Sequence, residues 1–314
     1  YYAIFGGEHP AIVKSPSMEG DWRYVGDLFA HSVDGVGINE DVSCAELFRL
    51  GDKEILLCIS HRMGCRYYLG EWKNEQFYPE THWQMSWVDN TYFAPESLED
   101  DEGRRIMWAW LLDCADLGTR FEHGWSGTMS LPRVLSINEK KGHEGNLKIA
   151  VPKEIEQLRY RPFKTENIEI DADSDVLVEG ISGDSLELAL DVDQGLAIEF
   201  GLKVCVSPDG EEQTIISYDA VQGELKVDTQ RSGFDRAPMT VERAPFMLDE
   251  NERLRLRVFI DKSVVEVFAN DRQAVARRIY PARSDSFGVR IFSVGGSAKV
   301  KLLESWHISP ANPY

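Results

Sequence analysis

Cysteine is scarce and shows no pairing pattern. The five residues at 44, 58, 65, 114 and 205 include no CxxC and no Cys/His spacing of the kind that holds zinc. An odd count without close pairs argues against a disulfide framework and leaves buried free thiols as the expectation. Long apolar runs are missing as well. The longest, around ILLCIS, is strand length, far short of the roughly 20 residues that cross a bilayer as a helix, so no membrane partner is expected. Positive charge is in short supply: 34 Lys and Arg stand against 53 Asp and Glu, for a net charge of −19. Each phosphate contact would need a cation taken from acidic neighbours, so no nucleic acid partner is expected. Phosphate loops are absent, because GVG at 35–37 and GG at 295–296 lack a following helix and the remaining glycines. There is no Gly-x-Ser-x-Gly elbow for a serine nucleophile. His61, His82 and His123 are scattered without ligand spacing and read as hydrogen-bonded histidines, so no metal and no cofactor is expected.

What is present is β-structure. Short strand-like segments separated by turn residues recur through the first half: YYAIFG, AIVKS, WRYVGDLF, AELFRL, EILLCIS, CRYYLGEW, RRIMWAWL and TMSLPRVLSI. Their spacing and alternate aromatics suit antiparallel meanders such as propeller blades. Around NLKIAVPKEIEQLRYRPF the texture changes to a connector, with two prolines and a helical turn at KEIEQLR. Beyond it come longer alternating runs, among them DSLELALDVD, LAIEFGLKVCVS and RLRLRVFIDKSVVEVFAN, with DKS and AND as tight turns. Polar residues alternate with apolar ones there, as in a sandwich whose two sheets each keep one wet face. The reading is all-β: propeller-like blades over 1–150, a linker over 151–164 and a β-sandwich over 165–314.

Three stretches carry candidate chemistry. NEDVSCAELF, residues 39–48, brackets a Ser-Cys pair with Glu40, Asp41 and Glu46. FEHGWSGTMSLPRVLSI sets Trp125 among small residues, offering a flat ring at a close backbone approach. WVDNTYFAPES and GRRIMWAWLLD add Asp89, Tyr92, Glu96 and Trp110. Carboxylates mixed with aromatics suit carbohydrate, whose hydroxyls need charged acceptors and whose CH faces need rings.

GWSGTMSLPRVLSI, FAPESLEDDEGRRIMWAW, NLKIAVPKEIEQLR, ISYD with GELKVD, and RLRLRVFIDKSVVEVFANDRQAVARRIYP together resemble, in order, segments of glycoside hydrolase family 32, the invertases, inulinases and levanases. The resemblance covers nearly the whole chain. It implies a five-bladed propeller, here its later blades, followed by a sandwich, and retaining hydrolysis of β-fructofuranosyl bonds in a fructan, sucrose or a related glycoside. The family's nucleophile, in an Asn-Asp-Pro-Asn-like motif, and its transition-state aspartate, in an Arg-Asp-Pro motif, have no match in these residues. By motif order YYAIFGG resembles the strand just after Arg-Asp-Pro, so the expectation is a partner: an N-terminal propeller half, upstream or on another chain.

A second departure concerns the acid. The family's Glu-Cys-Pro-Asp-Phe-Phe-like motif aligns with Ser43-Cys44-Ala45-Glu46-Leu47-Phe48, which puts serine at the proton donor's position. A serine hydroxyl titrates far outside the range that proton transfer requires. Asp41 is the first substitute, because residues two apart on a strand share a face, ~6–7 Å apart. Glu96 is the second, standing where relatives show an amide, and Glu40 is the third, needing a bulge to turn inward. The resemblance makes Asp89 and Trp110 pocket residues and Cys44 the thiol beside the acid; Ser43, Tyr92 and Trp125 complete the expected sugar-contacting set. Glu266 and Phe268 are expected to pack. The competing reading is a catalytically silent carbohydrate-binding relative.

Overall fold

A computed structural model describes the chain apart from residues 115–119, 123, 141, 142, 144, 234–238, 313 and 314, so His123 lies outside the described residues. Two compact units form: Tyr1–Trp110 with Pro132–Lys148, and Leu111–Leu131 with Ile149–Tyr314.

The first half runs through β1 (Tyr2–Phe5), β2 (Ala11–Lys14), β3 (Arg23–Asp27), β4 (Ser43–Leu50), β5 (Lys53–Ser60) and β6 (Gly64–Lys73). It continues with β7 (Gln76–Gln84), β8 (Tyr92–Glu99), β9 (Arg105–Leu111), β10 (Thr128–Met129), β11 (Arg133–Ile137) and β12 (Leu147–Ala150). In the first unit β1-β2-β3 and β4-β5-β6-β7 are antiparallel meanders, while β8 and β11 flank β9 and β12 follows β11. Period-two alternation explains the packing. Ile12, Leu28, Phe29, Val42, Leu56, Cys58, Tyr68 and Phe77 form one buried cluster, joined at its edge by Ile4, Ala45 and Leu47.

The second unit holds β13 (Arg159–Ile170), β14 (Ser174–Ser182), β15 (Ser185–Asp193), β16 (Glu199–Val206), β17 (Gln213–Asp219) and β18 (Glu224–Arg231). After these come β19 (Val241–Pro245), β20 (Leu254–Asp261), β21 (Val264–Ala269), β22 (Gln273–Arg278), β23 (Gly288–Val294) and β24 (Ala298–Ile308). They make two six-stranded sheets, β13-β24-β15-β20-β21-β22 and β14-β23-β16-β17-β18-β19. Leu186, Leu188, Leu190 and Val192 on one sheet, and Phe200, Leu202, Val204 and Val206 on the other, bury every second residue, the pattern of a sandwich. The expected helical turn is a 3-10 helix, Lys153–Leu158. DKS and AND are tight turns: Lys262, Asn270 and Asp271 are left-handed, at φ 53, 48 and 52°.

One close approach positions the candidate site. A Cβ on Gly6 would lie 2.2 Å from the Val42 carbonyl oxygen, so only glycine fits there. Gly7 and Val42 then exchange backbone hydrogen bonds of 3.1 and 3.0 Å, which tie the end of β1 to the segment entering β4.

Candidate active site

An open hollow of about 830 Å³ lies in the first unit, lined by Gly7, Glu8, Gly37, Ile38, Asn39, Glu40, Asp41, His61 and Arg62. Its floor is the chain leading into β4. Val42 is fully buried, so its neighbours Asp41 and Ser43 face the other way. They meet there: the Ser43 hydroxyl donates to Asp41 Oδ1 at 2.8 Å, and Asp41 Oδ2 lies 3.4 Å from His61 Nδ1. His61 in turn stacks edge-on against Phe93, and its carbonyl accepts from Asn90 at 3.4 Å, which brings the 89–91 turn to the same place. In that turn Asp89 accepts from the Thr91 amide and hydroxyl at 2.8 and 2.5 Å.

Glu40, also in the lining, is 8% exposed. Burial pushes its carboxyl up, but Arg62 and Ser60 hold it below the usual carboxylate range. The Ser60 hydroxyl donates at 2.6 Å and Arg62 Nε at 2.9 Å. These bonds favour the charged form of Glu40 over the protonated one. The expectation for Tyr92 is corrected: it is 1% exposed, with the Arg133 guanidinium 3.9 Å from its ring centre, so its ring is closed to a sugar. Trp110, at the end of β9, is 44% exposed and open to stacking. Trp125 belongs to the second unit, where it is half-exposed with the Arg278 guanidinium 5.8 Å from its ring centre. Glu266 and Phe268, expected to pack, are buried, and Glu266 accepts from the Leu131 amide.

Cys44 departs from the expectation of buried thiols. It is exposed, whereas Cys58, Cys65 and Cys205 are buried. Its thiol is pushed up by partial burial and then by the charges of the Glu96 and Asp41 carboxylates. The register of β4 on β5 jumps between Ser43 and Glu46, and Cys44 takes the left-handed conformation at φ 50°. Ala94, on the neighbouring β8, does the same at φ 46°. Such conformations cost on the order of 1–3 kcal/mol each for non-glycine residues and persist only where surroundings hold them.

Glu46, one of the three carboxylates of NEDVSCAELF but given no role by the sequence, is a holder. Its carboxylate accepts from the Ser97 amide at 2.8 Å and from the Ser97 hydroxyl at 2.9 Å, with Arg105 Nη1 at 3.6 Å. Charge-assisted bonds of this kind are worth about 1.5–3 kcal/mol each when buried. Burial nonetheless outweighs them and pushes the Glu46 carboxyl above its ordinary range. The available signal was its place between Ala45 and Leu47, both packed on the core.

The geometry thus gathers Asp41, Ser43 and His61, with the Asp89 turn alongside and Cys44 next to Ser43 on β4. A carboxyl group oriented by a hydroxyl at the rim of a sugar-sized hollow can, when protonated, deliver that proton to a bound glycosidic oxygen.

Comparison with known proteins gives a consistent picture. The model for the glycosyl hydrolases family 32 N-terminal domain matches residues 9–148, and that for the family 32 C terminal matches residues 154–307. A levanase of Bacillus subtilis is 32% identical over 96% of this chain and 47% of its own length. A sucrose-6-phosphate hydrolase of Zymomonas mobilis is 27% identical over 97% of this chain and 60% of its own. This chain therefore spans about half to three fifths of those relatives. Fructan 1-exohydrolase IIa from Cichorium intybus shares the fold over 99% of this chain and 70% of its own, with a TM-score of 0.85 at 20% identity.

Proposed function

The chain belongs to glycosyl hydrolase family 32, and from that membership we propose that it works as a β-fructofuranosidase-type hydrolase, cleaving β-fructofuranosyl bonds with retention. The first unit contributes the later blades of a five-bladed propeller. In a retaining mechanism one carboxyl group protonates the glycosidic oxygen while a second, about 5–5.5 Å away, attacks the anomeric carbon. Asp41 is the proton donor. The observation that carries this is the 2.8 Å hydrogen bond from Ser43, which fixes the Asp41 carboxyl at the wall of the hollow. The serine at the family's acid position thus orients a carboxylate two residues upstream. Glu96, exposed on β8 next to the Ser97 that Glu46 holds, is the second candidate. Asp89 accepts sugar hydroxyls and Trp110 stacks on the ring.

The nucleophile and the transition-state aspartate come from an N-terminal propeller half, upstream or on another chain. Two facts support that partner: the fraction of its relatives' length that the chain spans, and an apolar sheet face open on β1-β2-β3. On that face Phe5 and Tyr24 are 61% and 67% exposed.

The serine at the acid position also favours a second reading, a silent relative that binds fructan without cleaving it. Fructose release from sucrose, inulin, levan and an aryl β-fructofuranoside, measured with the N-terminal half supplied, separates the two. Turnover of the natural sugars supports the hydrolase. Fructan binding without any release supports the silent relative.

A further inference from the structure

We propose that Glu46, through its grip on Ser97, is a positioning residue for the proposed hydrolysis, fixing the β8 backbone next to Glu96 against the start of β4, where Ser43 bonds to Asp41 of the hollow; the inference rests on that reading. Two kinked strands meet here. On β4 the pairing with β5 skips from Ser43 to Glu46, and Cys44 between them is left-handed. On β8 Ala94 is left-handed, three residues before Ser97 and two before Glu96.

Glu46 joins the two kinks directly. It takes both the amide and the hydroxyl of Ser97, 51 residues away in sequence, and Arg105 steadies it from β9. A surface acid in a strand is free to follow solvent. This one is 20% exposed at its side chain and held by two donors of one residue. The bonds fix the β8 backbone at Ser97, next to Glu96, relative to the β4 backbone just past Cys44. Glu46 itself acts only through Ser97 and touches no substrate. Reacting groups displaced by about 1 Å can lose on the order of 100-fold in rate, so a cross-link at this point controls turnover more than binding.

The test compares Glu46→Ala, Glu46→Gln and Ser97→Ala with wild type, by levan kinetics and by hydrogen exchange. Glu46→Ala is expected to lower kcat by about 10- to 100-fold with KM within about twofold. Glu46→Gln, which keeps an acceptor for one Ser97 donor, should recover much of the loss, and Ser97→Ala should fall between them. Exchange should quicken in segments 43–46 and 92–97 of Glu46→Ala and stay unchanged in β13–β24. If Glu46→Ala does not fold, Glu46→Gln carries both measurements, with smaller changes of the same sign. A kcat within twofold of wild type, or unchanged exchange in both segments, overturns the proposal. If wild type, assayed together with the N-terminal half that supplies the nucleophile, turns over neither levan nor sucrose, the hydrolase reading fails separately and exchange alone decides: loosening confined to the two segments upholds the cross-link, and unaltered exchange refutes it.

Discussion

Replacing Asp41 with asparagine isolates the proton from the shape. The amide is nearly isosteric, and its oxygen can still accept from Ser43, so the 2.8 Å contact that orients the side chain survives. What is lost is the capacity to protonate the leaving group. General acid catalysis contributes roughly 10²- to 10⁴-fold, and at about 1.36 kcal/mol per decade a 10³-fold loss is about 4 kcal/mol of transition-state stabilisation. The loss must depend on the leaving group. A sugar alkoxide needs the proton, so kcat on sucrose or levan should fall by about 10²- to 10⁴-fold. An activated aryl leaving group departs largely unaided, and its kcat should fall by less than about tenfold. Steady-state kinetics on the two substrate classes, with Glu96→Gln in parallel, reads the difference. Equal losses on both substrates, or none on either, would refute the assignment of Asp41; a selective loss in Glu96→Gln would transfer the role to that residue.

Three further outcomes follow from the same geometry. Arg62→Ala removes one of the partners that hold Glu40 low, leaving burial opposed only by Ser60 and Arg66; an NMR pH titration of Glu40 should show its pKa rise from the wild-type value. In wild type the depressed Glu40 stabilises the fold above its unfolded pKa, and that contribution fades as pH falls through the folded value. Arg62→Ala should therefore cost about 1 kcal/mol at neutral pH, a small figure because Arg62 is largely exposed, and the deficit should shrink in acid. Glu187→Ala should cost about 3–5 kcal/mol in guanidinium unfolding, because the fully buried carboxylate pairs with Arg159 at 2.6 Å and Arg257 at 2.7 Å and its loss strands both cations. Glu96→Gln should quicken modification of Cys44 by a thiol reagent at pH 8, followed by mass spectrometry, since a charge that disfavours the thiolate is gone. An unchanged rate would contradict an effect of the Glu96 charge on Cys44.

The strands around the site were legible because apolar alternation there is undisturbed. EILLCIS and CRYYLGEW became β5 and β6 with their buried runs where the pattern put them. The shared face of Asp41 and Ser43 followed from period two alone, and the hydrogen bond between them agrees. Glu46 was not legible, because the irregular pairing after Ser43 breaks that period and its partner Ser97 comes from a strand 51 residues later. The pairing of Glu40 was hidden for a related reason: its partner, Arg62, sits in the β5-β6 turn and marks no pattern in NEDVSCAELF. Tyr92 looked like a sugar platform beside Asp89, yet Arg133 from β11 covers its ring. Long-range cation placement is what local periodicity does not encode.

The most direct test follows the sugar itself. Proton NMR during the first minutes of hydrolysis of a β-fructofuranoside should show the β-furanose anomer of fructose accumulating first and then relaxing to the equilibrium mixture, as retention requires. Accumulation of the α anomer first, or a bound sugar that is never cleaved, would contradict the account.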